Sequence, residues 1–116
     1  MKTILIIDDE QDLCALLSSV LRQENYTVEF AFNLADAKRK LEKRPKIVFL
    51  DNNLPDGSGI EFLQMNPDKF MESYVVLMSA DSSHSFELQL QQEGVHAVIR
   101  KPFTVRHVKD LIREMA

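Results

Sequence analysis

Short apolar runs alternate with helically spaced apolar residues five times along this chain, and that alternation leaves few folds open. Thr3–Ile7 reads as a strand buried on both faces. Leu13, Leu16, Leu17, Val20 and Leu21 recur at helical spacing and predict a helix over about Gln11–Glu24. Thr27–Ala31 is a second strand, placed at an edge by Glu29. Asn33 is a cap for a helix over about Leu34–Lys43 with Leu34, Ala37 and Leu41 as its stripe, and Pro45 stops anything helical before it. Ile47–Leu50 is the clearest buried strand and ends abruptly at Asp51. Pro55, Gly57 and Gly59 make Asn52–Gly59 a loop, followed by a short helix over about Ile60–Met65 and a further turn within Asp68–Ser73. Tyr74–Met78 is the fourth strand and ends at Ser79. Gly94 stops a helix over about Ser83–Glu93, and Ala97–Arg100 is the fifth strand. Thr104 caps a last helix, about Val105–Met115, with Val105, Val108, Leu111, Ile112 and Met115 inward. The pattern is (βα)5 in one domain of 116 residues, a parallel sheet covered on both faces.

Strand ends carry the chemistry. Asp8 and Asp9 follow the first strand, Asp51 the third, Ser79 the fourth and Lys101 the fifth. In a parallel sheet these ends lie on one edge, where ligands of such folds bind. Three carboxylates held together repel, so the site either raises a pKa or takes a cation. Hard oxygen donors suit Mg²⁺, which would also neutralise an incoming anionic phosphoryl group. Asp51 is the natural nucleophile, able to become an aspartyl phosphate. Lys101 supplies a compact charge for Asp51 or a phosphoryl oxygen, and Ser79 a hydroxyl donor.

Several classes of function are disfavoured. A net charge of −4, with no basic run and no basic helix face read from the sequence, argues against direct nucleic-acid binding. No apolar stretch approaches the about 20 residues of a membrane span, and the start MKTILIIDDE is not a signal peptide, so a cytoplasmic protein is expected. The single cysteine, Cys14, fits a reducing compartment and reads as a small core residue. His84, His96 and His107 lack partners at metal-ligand spacing and read as surface or cap residues. Gly57-Ser58-Gly59 reads as a turn rather than a phosphate loop.

Taken together, the chain resembles the receiver domain of two-component response regulators over essentially its whole length, residues 1–116. The resemblance rests on Ile6-Ile7-Asp8-Asp9-Glu10, on Val48-Phe49-Leu50-Asp51 with Leu54-Pro55-Asp56-Gly57-Ser58-Gly59, on Leu77-Met78-Ser79-Ala80 and on Lys101-Pro102-Phe103. It implies a flavodoxin-like fold with strand order 2-1-3-4-5. It implies Asp51 as acceptor of a phosphoryl group from a sensor histidine kinase or phosphotransfer protein. By the same resemblance Asp9, Asp51 and the Asn53 carbonyl ligate Mg²⁺, and Asp8 reaches it through water. Ser79 would move toward the phosphoryl group, Lys101 would pair with it, and the Lys101-Pro102 bond would be cis. The module would control an output domain or partner, or a homodimer, through the helix at 83–93, the fifth strand and the last helix. It would catalyse only its own phosphorylation and dephosphorylation.

Val98 departs from the family, which commonly has an aromatic residue three positions before the lysine. That departure motivates an alternative, a phosphorylation-independent binding module. A hydrolytic phosphatase ranks last, because Asn53, two residues after Asp51, cannot donate a proton as an acid.

Overall fold

The computed structural model describes residues 2–80 and 94–115. The helix expected over Ser83–Glu93, with Asp81 to Ser83 as its caps and His84 within it, lies outside the described residues. Five parallel strands form one sheet: β1 (Thr3–Ile7), β2 (Thr27–Ala31), β3 (Ile47–Asp51), β6 (Tyr74–Ser79) and β7 (Ala97–Arg100). Their order is β2-β1-β3-β6-β7. That is the expected 2-1-3-4-5 order, because β4 (Asn53–Leu54) and β5 (Gly57–Ser58) form a separate two-stranded ribbon. The expected loop 52–59 is therefore ordered as a tight antiparallel turn.

Period-two alternation in the strands sorts the core into two halves. Ile4, Ile6, Phe49, Val76, Met78 and Ile99 face one way and pack with Cys14, Leu17, Leu21, Val108 and Ile112. These last five come from α1 (Gln11–Gln23) and from the C-terminal helix α4 (Val105–Met115). Leu5, Ile7, Val48, Leu50, Val75 and Leu77 face the other way, against Ala37, Leu41, Leu63 and Phe70. This second group belongs to α2 (Leu34–Lys40) with its 3-10 continuation Leu41–Lys43, to α3 (Gly59–Met65) and to the 3-10 turn Pro67–Phe70. Helices cover both faces, so each fully buried Ile or Leu contributes roughly 1.5–3 kcal/mol of apolar transfer. The central strand β3 is buried along its whole length, Asp51 included.

Local signals behave as their chemistry requires. The Asn33 Oδ1 accepts the Asp36 N–H at 2.8 Å, and the Ser58 Oγ accepts the Glu61 N–H at 3.4 Å. Thr104 Oγ1 accepts the His107 N–H at 3.1 Å. The Lys101-Pro102 bond is cis, as expected.

Two stripe positions need correction. Leu16 is 46 % exposed, because the sheet-facing side of α1 is set by Cys14, Leu17, Ser18 and Leu21. Leu16 falls off that inward face and points to solvent. Val105 is 38 % exposed at the first turn of α4, ahead of the buried Val108 and Ile112. His96 is more than a surface residue. Its Nδ1 accepts the Val75 N–H at 3.0 Å while its own N–H donates to the Val75 carbonyl at 2.9 Å, and its ring stacks on Tyr74. The side chain thereby prolongs the pairing between β6 and β7.

Candidate functional site

The parallel sheet delivers Asp8, Asp9, Asp51, Ser79 and Lys101 to its carboxyl edge. Asp8 follows β1, and its N–H donates to the Ala31 carbonyl of β2 at 3.0 Å. Asp51 is the last residue of β3, registered opposite Met78, and Ser79 closes β6. The Lys101 N–H donates to the Ser79 carbonyl at 2.9 Å, which fixes where its side chain starts.

Asp8, Asp9 and Asp51 each bring one carboxylate oxygen to within 4.8 Å of the others. Asp8 and Asp51 are buried while Asp9 is exposed, so the cluster opens to solvent on one side. Lys101 Nζ is the cation of the cluster. It lies 2.8 Å from Asp8 Oδ2, 3.4 Å from Asp51 Oδ1 and 3.4 Å from Glu10 Oε1. Lys101 thus pairs most tightly with Asp8, and Glu10 joins the cluster as a residue that strand-end reasoning did not single out. The only clue to Glu10 was its place in the run Asp8-Asp9-Glu10.

Burial and the neighbouring Asp8 charge push the Asp51 carboxyl above the usual carboxylate range, against the Asn53 N–H and Lys101. Burial alone would lower Lys101, but its bond to Asp8 and the charges of Asp51 and Glu10 hold it above its ordinary value. One ammonium cannot balance Asp8, Asp9, Asp51 and Glu10, so the edge has an electrostatic deficit of cation. Three hard oxygen donors with an open side fit Mg²⁺, by ligand type and by the charge it would supply. Asn53, expected as a carbonyl ligand, directs its N–H to Asp51 Oδ1 at 3.3 Å.

Cys14 borders this edge without joining it. Its Sγ donates to the Asp8 carbonyl at 3.4 Å. Burial and the Asp8 charge push its thiol up to about 12. Thiolate is the reactive form, so iodoacetamide at pH 8 should leave the folded protein unmodified and label it fully in urea. Equal rates in both states would contradict this environment.

Charge elsewhere is less even than the net value suggests, which corrects the expectation of no basic run. Lys38, Arg39, Lys40, Lys43, Arg44 and Lys46 crowd into residues 38–46. Four of the six are paired locally: Arg39 and Lys40 share Asp36, Lys43 meets Glu29 and Arg44 meets Glu72. Lys40 also donates to the Phe30 carbonyl on the edge strand β2. Among the described residues no helix is long and apolar enough to cross a membrane.

Comparisons with known proteins give the family and the fold. A family model described as the response regulator receiver domain matches residues 4–113. The alkaline phosphatase synthesis transcriptional regulatory protein PhoP of Bacillus subtilis (strain 168) is 32% identical over 114 residues, which cover 97% of this chain and 47% of that protein. The chain spans between about a quarter and about half the length of such curated relatives. A CheY-like response regulator receiver domain protein from Methanospirillum hungatei JF-1 superposes with a TM-score of 0.87 at 26% identity, covering 99% of this chain and 93% of that one. A two-component response regulator from Clostridium difficile, 22% identical, shares the fold with a TM-score of 0.89 over 99% of this chain and 95% of its own.

Proposed function

The chain belongs to the response regulator receiver domain family, and from that premise we propose that it is a Mg²⁺-dependent phosphoryl acceptor whose acceptor atom is a carboxylate oxygen of Asp51. The observation that carries this reading is the convergence of three carboxylate oxygens within 4.8 Å beside one lysine at the sheet edge. An Asp51 oxygen forms the new bond to phosphorus. The bond to the donor nitrogen of a phosphohistidine, or to the acetate oxygen of acetyl phosphate, breaks, and its electron pair leaves with the donor. Lys101 would pair with a phosphoryl oxygen once Asp51 carries one, and the Ser79 hydroxyl would donate to another. Asp8, Asp9, Asp51 and the Asn53 carbonyl would hold Mg²⁺. When bound, the ion would offset the repulsion between these carboxylates and an incoming phosphoryl anion.

The module so read catalyses only its own phosphorylation and dephosphorylation and works in the cytoplasm. Its partners are a sensor histidine kinase or phosphotransfer protein and an output domain or partner, or a second copy, engaged through the surface that includes β7 and α4. Val98 lies partly buried on β7 against the core half that holds Leu5 and Leu77. Lacking a ring, it cannot swing between exposed and buried rotamers, so backbone and helix shifts would report the phosphoryl state.

Acetyl phosphate with Mg²⁺ tests the reading. The intact mass should rise by one phosphoryl group, and chelating the metal should abolish the gain. A folded protein that gains no phosphoryl group with Mg²⁺ present would favour the phosphorylation-independent binding module.

A further inference from the structure

The loop that follows Asp51 is fastened at its base and at its tip. At the base, the Asn52 N–H donates to the Met78 carbonyl and the Asn52 carbonyl accepts from Gly59, both at 3.1 Å. The Asn52 Oδ1 also accepts from the Ser58 hydroxyl at 3.1 Å and from the Ile60 N–H at 3.2 Å. At the tip, Asp56 crosses to the first turn of α2, accepting the Leu34 N–H at 2.8 Å and the Ala35 N–H at 3.1 Å. Between these anchors lie the β4–β5 ribbon and the Asn53 N–H that holds Asp51 Oδ1.

We infer that Asn52 and Asp56 are positioning residues that fix the Asn53 backbone against Asp51 and thereby set the affinity of the acidic edge for Mg²⁺. The inference rests on the reading of that edge as a Mg²⁺ site. Its physical basis is preorganisation. A loop that must be ordered when the ion binds takes that entropy out of the binding free energy. Groups that orient ligand-bearing elements typically change metal affinity by about 10–100-fold when removed.

Mg²⁺ titration by calorimetry of the intact protein, without phosphodonor, tests this. Asn52→Ala and Asp56→Ala should each weaken the Kd by about tenfold. Asp56→Asn removes the charge and keeps an acceptor for the Leu34 N–H but not for the Ala35 N–H, so it should weaken the Kd less than Asp56→Ala. Ser73→Ala serves as the control. It removes a buried bond of 2.6 Å to the Pro45 carbonyl at the other end of β6, so it should lower the melting temperature and leave the Kd unchanged. If Asn52→Ala does not fold, the two Asp56 variants decide.

Unchanged affinity in the alanine variants overturns the inference. Equal weakening in Asp56→Asn and Asp56→Ala overturns it in favour of a pure charge effect. Weakening in Ser73→Ala overturns it in favour of general loosening. A parent without Mg²⁺ affinity sinks the underlying site reading and this inference with it. Variants that match a Mg²⁺-binding parent sink the inference alone.

Discussion

Asp51→Asn should abolish phosphoryl uptake from acetyl phosphate and, with no Mg²⁺ present, melt a few degrees higher than the parent at neutral pH. Both effects follow from one environment. The amide keeps the shape and a hydrogen-bond acceptor for the Asn53 N–H but is not a carboxylate nucleophile. Stability moves because the Asp51 carboxyl titrates above its ordinary value in the folded protein, through burial and the Asp8 charge. A carboxyl with a raised folded pKa favours the folded state below its unfolded value. That contribution is lost as pH rises through the folded one. At neutral pH the ionised Asp51 therefore opposes folding, and Asn relieves it. The melting advantage should shrink as the pH is lowered through the acid range, where the parent carboxyl takes up its proton. An equal or larger advantage at acid pH would contradict this electrostatic account. Mg²⁺ should stabilise the parent more than the variant, because the variant has lost one of three clustered carboxylates.

Gly59→Ala should be the most damaging of the glycine-to-alanine substitutions. A Cβ at Gly59 would sit 2.2 Å from the Asp51 carbonyl oxygen, 3.1 Å from its carbonyl carbon and 3.0 Å from Leu50 Cγ. The oxygen belongs to the backbone of the central strand, so it cannot swing aside as a flexible side chain could. Alanine is the better helix former by at most about 1 kcal/mol, and Gly59 stands only at the start of α3. Overpacking against fixed backbone costs about 3 kcal/mol, so the clash wins. The melting temperature should fall by roughly 10 °C, measured by circular dichroism. Relief of the clash would also displace Asp51, so phosphoryl uptake should slow even in the population that remains folded. A variant as stable and as reactive as the parent would show that α3 can retreat from β3 without disturbing Asp51.

Strand ends were legible in the sequence for a topological reason. Once the strands are parallel, Asp8, Asp51, Ser79 and Lys101 must share an edge whatever their separation along the chain. The two-sided core was legible as well, because β1, β3 and β6 read as near-continuous apolar runs. The outward turn of Leu16 was not. The inward face of α1 takes in Cys14 and Ser18, which do not stand out in an apolar stripe, and this leaves Leu16 off it. The tie from Asp56 to the start of α2 was also hidden, since it spans 22 residues and exists only after two loops dock. Asp56-Gly57 gave a turn signal but no partner. His96 was read by metal-ligand spacing, a test blind to an imidazole that accepts a strand N–H. Which acid Lys101 prefers could not be read either, because a choice between Asp8 and Asp51 turns on less than an ångström.

Asp51, among several acids at this edge, is the proposed carrier of the phosphoryl group. The direct measurement is to phosphorylate the protein with acetyl phosphate and Mg²⁺, reduce the acyl phosphate with borohydride, and locate the modified residue by peptide mass mapping. A single modification, on Asp51, is the expected result. Modification on Asp8, Asp9 or Glu10 in its place, or spread among them, would contradict it.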